Sequence, residues 1–203
     1  MRDLEAKREG DRKYRESHRE ELRASQMRVP FDFKDEGCRS RVSLAARRYS
    51  LDPVLVAAII TQESNGWPDA FRPEPGWKYF WDVRSGKAFR KLYQSEIGAL
   101  HAPEDFHSLM GTADQEWLLQ RSSFGLMQIM GAVARELGFK APYLSALFDP
   151  IENLQWGCMK LGQLTNMYAA GAVSAYNGGS PHVGSDYEVS VLKWVERLRP
   201  LFV

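Results

Sequence analysis

The strongest constraint on the fold is an almost wholly apolar stretch, residues 54–60. It follows Asp52 and Pro53, an aspartate suited to cap a helix N-terminus and a proline suited to the first helical position. A helix that is apolar nearly all round has no face for solvent, so we expect it at the centre of a helical core. The stretch is too short to cross a bilayer, and we predict no stable membrane insertion. It ends near Glu63, and Gly66 suits the position after the helix.

The rest of the chain from residue 29 predicts a mainly α domain that extends to residue 203. Helical periodicity or capping signals recur in five further segments: residues 35–49, 126–137, 149–168, 172–176 and 185–198. Prolines at positions 68, 73, 75 and 103 interrupt the helical pattern between residues 67 and 122. Within this insertion, residues 77–90 are predicted to form a short hairpin.

Residues 1–28 differ in composition from this domain and are predicted to form a charged helical arm. They contain nine Lys or Arg and seven Asp or Glu residues. Two interpretations stay open, a solvated arm and a docking segment for a partner protein. The arm has no apolar signal-peptide region, so we expect synthesis in a cytoplasm without a secretion signal.

Charge and metal-ligand patterns disfavour several function classes. The net charge of +1 provides no overall attraction to nucleic acid or to an anionic membrane. Cys38 and Cys158 are far apart and match no metal or redox spacing, which predicts two buried thiols. The four histidines show no ligand spacing either, so we expect neither a metal nor another cofactor.

Glu63 is the first candidate for chemistry. Burial at the end of an apolar helix would raise its pKa, as a general acid near neutral pH requires. Residues 67–93 hold eight of the chain's 24 aromatic residues, and flat apolar rings beside polar groups suit sugar binding. Trp67, Trp77 and Trp81 are the candidates for stacking on sugars. The same aromatic residues could instead form a small core of the insertion, and both interpretations can hold together.

Three short motifs occur in the order found in soluble lytic transglycosylases of the goose-type lysozyme superfamily. They are Gln62-Glu63-Ser64, Gly125-Leu126-Met127-Gln128 and Ala175-Tyr176-Asn177. The chain resembles this family over about residues 40–195. The resemblance implies a lysozyme-like helical domain, here with an aromatic-rich insertion, that acts on the glycan strands of peptidoglycan.

The resemblance also implies a role for each matched residue. Glu63 would be the catalytic acid/base, with the hydroxyl of Tyr176 hydrogen-bonded to its carboxylate. Ser64 would help to position Glu63 or the sugar, and Gly125 would allow close approach of the backbone. Met127, Gln128 and Asn177 would contact the glycan. Core packing explains Met127 equally well, and the end of a helix explains Tyr176 and Asn177.

The implied reaction is non-hydrolytic cleavage by one carboxyl group, with formation of 1,6-anhydromuramic acid. The alternative is hydrolysis, as in goose-type lysozymes, which in its inverting form needs a second carboxylate to activate water. Four acidic residues are candidates for that second carboxylate: Asp69, Asp82, Asp114 and Glu116. An alternative of another class is a structural virion component that uses this fold only to bind cell wall.

The segment between Glu63 and Gly125 is longer than in typical bacterial members and resembles that of phage-encoded ones. We therefore expect an enzyme made in the host cytoplasm that acts on the periplasmic cell wall. A holin would release it as an endolysin, or a virion protein would carry it.

Overall fold

Residues 30–202 are described by a computed structural model, and they form a mainly α domain, as predicted. The predicted charged arm, residues 1–28, lies outside the described residues and stays a prediction. None of the helices between residues 30 and 202 is long and apolar enough to cross a membrane.

Seven α-helices make up a little under half of this described part of the chain. Their bounds are α1 Glu36–Arg48, α2 Pro53–Ser64, α3 Ala113–Gln120, α4 Gly131–Glu136, α5 Pro150–Tyr168, α6 Ala172–Gly178 and α7 Asp186–Leu198. Short 3-10 helices cover Leu144–Phe148 and Arg199–Leu201. The N-caps read from the sequence are present: Asp52, Asp149 and Ser185 each accept a hydrogen bond from a backbone N–H of the first turn.

Helix α2 lies at the centre of the main core, as its apolar sequence predicts. Its residues 54 and 56–60 are buried, and α1, α5 and α7 supply most of the apolar side chains around it. The side chain of Gln62 fixes α2 to α7, because its Oε1 accepts hydrogen bonds from Ser190 at 2.7 Å and Trp194 at 3.2 Å. The helix ends at Ser64; its C-cap Asn65 adopts the left-handed conformation, and Gly66, the expected glycine after the helix, also has a positive φ of 81°.

Two small sheets lie beside the helices. Strands β1 Phe71–Pro73, β4 Ser122–Phe124 and β5 Ile129–Met130 form an antiparallel sheet that the sequence patterns did not indicate. Strands β2 Trp81–Asp82 and β3 Lys87–Ala88 form the predicted hairpin.

The helix predicted over residues 126–137 is wrong in its first half. Gly125 and Gln128 have positive φ angles of 68° and 45°, so the chain turns tightly between β4 and β5. Helix α4 begins only at Gly131.

The insertion has a small core of its own, formed by Phe80, Leu92, Phe106 and Trp117. The rings of Phe80 and Trp117 stack with centroids 3.9 Å apart. This core confirms the interpretation that the insertion folds onto a small core of its own, to which three of the eight clustered aromatic residues contribute: Trp77, Phe80 and Phe89.

Polar contacts hold the insertion together and attach it to the rest of the domain. The side chain of Gln120 accepts a hydrogen bond from the backbone N–H of Trp81 and donates one to its carbonyl. Glu116 of α3 forms a buried ion pair with Arg135 of α4, at 2.8 Å. Helix α3, at the end of the insertion, is thereby fixed relative to α4.

Candidate active site

Glu63, in the last turn of α2, lines a cavity of about 300 Å³. The other walls come from β1 and the chain that follows it, from the β4–β5 sheet with α4, from α5 and from the end of α6. Half-buried Glu63 therefore faces a groove into which several elements project polar side chains. Such a groove suits a polar, ring-shaped ligand.

The carboxyl group of Glu63 is held by a tyrosine. The hydroxyl of Tyr187, in the first turn of α7, donates a hydrogen bond of 2.6 Å to Glu63 Oε1. Burial raises the pKa of Glu63 above the ordinary value of a glutamate. The bond from Tyr187 and the positive charges of Lys160 and Arg72 act against this rise. A carboxyl group with a raised pKa in a groove can donate a proton at a pH where ordinary glutamates are ionised.

Tyr176 does not make the contact that the family resemblance implies. Its buried hydroxyl donates instead to the backbone carbonyl of Met127, at 2.8 Å, so the expected bond to Glu63 is wrong. Tyr187 takes that place because α7 packs along α2 and brings its first turn next to Glu63. Tyr187 and Glu63 are 124 positions apart in the sequence, and no local pattern in the sequence indicates their hydrogen bond.

A buried asparagine organises the turn between β4 and β5. Asn153 of α5 donates to the carbonyl of Phe124 at 2.7 Å and accepts from the N–H of Met127 at 2.8 Å. A Cβ atom on Gly125 would lie 2.4 Å from Asn153 Nδ2, so only glycine fits there. The close approach expected at Gly125 is therefore made to Asn153.

The hydroxyl of Ser64 connects this turn to the end of α2, because it donates to the carbonyl of Leu126 at 2.8 Å. The motif containing Glu63 and the motif containing Gln128 are thus fixed against each other. This contact agrees with a role of Ser64 in positioning Glu63.

The comparison with known families agrees with this arrangement. The model of the transglycosylase SLT domain matches residues 41–189, well over half of the chain. The chain belongs to the SLT transglycosylase family. No solved structure matched the chain. Membership supports a glycan-degrading enzyme of the lytic transglycosylase type, whose substrate is peptidoglycan.

In this SLT domain, the remaining matched residues differ in their access to the groove. Gln128, Tyr176 and Asn177 line it. The side chain of Gln128 is fixed by hydrogen bonds to Ala70, Gly125 and Ser123. Met127 is fully buried, so its expected place in the groove is wrong, and Met130 of β5 lines the groove in its stead.

Among the three tryptophans proposed for sugar stacking, Trp77 lines the groove of the SLT domain and Trp67 and Trp81 do not. Trp67 is 45% exposed elsewhere on the surface. Trp81 is half-buried, with its backbone bound by Gln120. Trp77 is therefore the tryptophan that the structure brings to the same groove as Glu63.

The second carboxylate of the groove is Glu74, which the sequence did not single out. Glu74 follows β1 and pairs with Arg72 at 2.5 Å, and both line the groove. None of the four acidic residues considered from the sequence lines it: Asp69, Asp82, Asp114 and Glu116. Between residues 30 and 202, no group of three or more His, Cys, Asp or Glu side chains is placed to bind a metal ion.

Proposed function

We propose that this chain is a peptidoglycan lytic transglycosylase. It cleaves the β-1,4 bond between N-acetylmuramic acid and N-acetylglucosamine and leaves a 1,6-anhydromuramoyl end. The observation that carries the proposal is Glu63, a half-buried carboxyl group with a raised pKa, in a groove of an SLT domain and bonded to Tyr187.

One carboxyl group can carry both proton transfers of this reaction. Protonated Glu63 donates its proton to the glycosidic oxygen, and the C1–O bond breaks. The resulting carboxylate takes the proton of the muramoyl C6 hydroxyl, whose oxygen bonds to C1 and closes the anhydro ring. The proton returns to Glu63 and no water is consumed, so atoms and charge balance. The acetamido carbonyl of the same sugar can assist at C1, as in other substrate-assisted cases.

Surrounding residues suit Glu63 to both steps. Burial favours the neutral acid before bond cleavage. The hydrogen bond from Tyr187 stabilises the carboxylate after it. The two effects oppose each other, which brings the acid and base forms closer in free energy than either effect alone would.

Hydrolysis is the second candidate, and Glu74 is the observation that favours it. An inverting glycosidase needs a carboxylate across the sugar from the acid to activate water, and Glu74 lines the groove that contains Glu63. The ion pair of Glu74 with Arg72 favours a structural role of Glu74 instead. Mass spectrometry of the products separates the two reactions, because anhydro ends lack one water relative to reducing ends.

The decisive variant is Glu63→Gln, which keeps an acceptor for Tyr187 but cannot donate or accept the proton. We expect it to stop the release of soluble fragments from purified peptidoglycan. Glu196→Gln, an exposed glutamate of α7, is the matched control and should leave the rate unchanged. Normal activity in Glu63→Gln would contradict the assignment. A wild-type chain that binds peptidoglycan without cleaving it would favour a structural wall-binding component.

We further propose that the enzyme is phage-encoded and reaches the host cell wall through a holin or within the virion. The support is the long segment between Glu63 and Gly125, which resembles that of phage-encoded members. Mass spectrometry of purified particles tests the virion route. Presence at a fixed copy number would favour it, and absence would favour release as an endolysin.

A further inference from the structure

Lys160 of α5 is half-buried, and it lies in the wall of the groove that contains Glu63. Its Nζ donates a hydrogen bond of 2.7 Å to the carbonyl of Tyr176 and lies 4.1 Å from the centre of the ring of the same residue. No salt bridge in the described part of the chain involves this lysine. A lysine ammonium has three donors, and the Tyr176 carbonyl takes one.

We propose that Lys160 is a positioning residue for glycan cleavage, which fixes the end of α6 at the groove and sets the pH range in which Glu63 acts as an acid. The proposal rests on the role of Glu63 stated above. It adds a charged group that none of the three sequence motifs contains.

The first part of the proposal follows from the contacts of Tyr176. Lys160 binds its carbonyl and ring, and the hydroxyl of Tyr176 binds the carbonyl of Met127. Helix α6 has only seven residues, about two turns, so its end depends on such tertiary contacts. Asn177, which lines the groove directly after Tyr176, is placed by the same contacts.

The second part depends on which charges face Glu63. Tyr187 faces it from α7 and Tyr176 from α6, and burial raises the pKa of both phenols so far that they stay neutral. Arg72 faces it from β1, but this arginine is exposed and paired with Glu74. Lys160 faces it from α5 and is half-buried, so solvent screens its charge less than that of the exposed Arg72.

Lys160 and Glu63 each shift the pKa of the other. Burial lowers the pKa of Lys160 to about 8, and the negative charge of Glu63 acts against that fall. In return, the positive charge of Lys160 lowers the pKa of Glu63. Below about pH 8 the lysine is charged and favours the carboxylate. Without the charge of Lys160, Glu63 should stay protonated up to a higher pH. It should therefore remain able to donate a proton at that pH.

The first experiment measures the pH dependence of fragment release from purified peptidoglycan. In Lys160→Met, which keeps most of the side-chain volume, we expect the ratio of the rate at about pH 7.5 to that at about pH 5.5 to rise about threefold or more. Lys160→Arg keeps the charge and should keep the wild-type pH dependence even where its rate falls. Lys193→Met, at an exposed position of α7, is the matched control and should change neither quantity. A slower Lys160→Met enzyme with the wild-type pH dependence would overturn the second part of the proposal.

The second experiment requires neither activity nor a Lys160 variant that folds. The pKa of Lys160 is measured by NMR titration of its side chain in the wild-type protein and in Glu63→Gln. Reciprocity requires this pKa to fall when the negative charge of Glu63 is removed. An identical titration in both proteins would overturn the electrostatic coupling. Full activity of Glu63→Gln would instead contradict the proposed function, so the two failures are distinguishable.

Discussion

Replacement of Tyr187 by phenylalanine removes one hydroxyl group and leaves the ring that packs against the main core. The hydroxyl donates at 2.6 Å to Glu63 Oε1, within the range of about 2.5–2.7 Å for a hydroxyl bound to a carboxylate. We therefore expect Tyr187→Phe to act mainly on Glu63 and only weakly on the fold.

The size of the effect follows from the strength of such a bond. A hydrogen bond to a charged group contributes about 1.5–3 kcal/mol. If the full amount is lost from the transition state, the rate falls roughly 10- to 150-fold, since about 1.4 kcal/mol corresponds to a factor of ten. Loss of the bond also removes a cause that lowers the pKa of Glu63. The decline of activity with rising pH should accordingly move to higher pH.

The assay is the initial rate of fragment release from purified peptidoglycan across the pH range, with products identified by mass spectrometry. Tyr176→Phe is the matched control, because it removes a hydroxyl bonded to the carbonyl of Met127 in the core. We expect it to lower the free energy of unfolding by about 1–3 kcal/mol without moving the pH dependence. A Tyr187→Phe enzyme with normal rate and pH dependence would refute the reasoning, as would a pH shift in Tyr176→Phe.

Three further changes test other parts of the structure. Glu116→Gln should lower the free energy of unfolding by about 3–5 kcal/mol in urea denaturation, because it leaves Arg135 charged and buried; a loss below about 1 kcal/mol would count against the pair. Gly125→Ala should lower it by roughly 2–4 kcal/mol, since its Cβ would meet Asn153 and its φ of 68° is strained for alanine. Glu74→Gln should leave anhydro products and retain most of the activity, whereas a loss of two or more orders of magnitude would point to water activation and hydrolysis.

Much of the helical framework could be predicted from local sequence. Asp52 with Pro53, and Asp149 with Pro150, mark helix starts through side-chain caps and a fixed φ angle, and both are present. The prediction failed at residues 126–130, where apolar periodicity suggested a helix. Positive φ angles at Gly125 and Gln128 and the contacts of Asn153 impose a turn there instead.

The candidate site was only partly predictable, because it too depends on contacts between residues distant in sequence. Glu63 was identified from its motif and from its place at the end of an apolar helix, and the structure agrees with the expected rise of its pKa through burial. Tyr187 and Lys160 were missed because they approach Glu63 from helices distant in sequence. Glu74 was missed because no local pattern shows that the chain after β1 lines the groove. Met127 was assigned to the groove from its motif, although its side chain is buried in the core.

The sequence by itself determined that an apolar helix is buried and ends in a carboxyl group. That outcome depends on residue polarity and capping, which are local properties. Only the tertiary structure decided which groups surround the carboxyl group of Glu63. The packing of α7 on α2 brings Tyr187 to it, and α5 adds the charge of Lys160. The pKa of Glu63 depends on these long-range contacts and on burial, so no local pattern in the sequence could fix it.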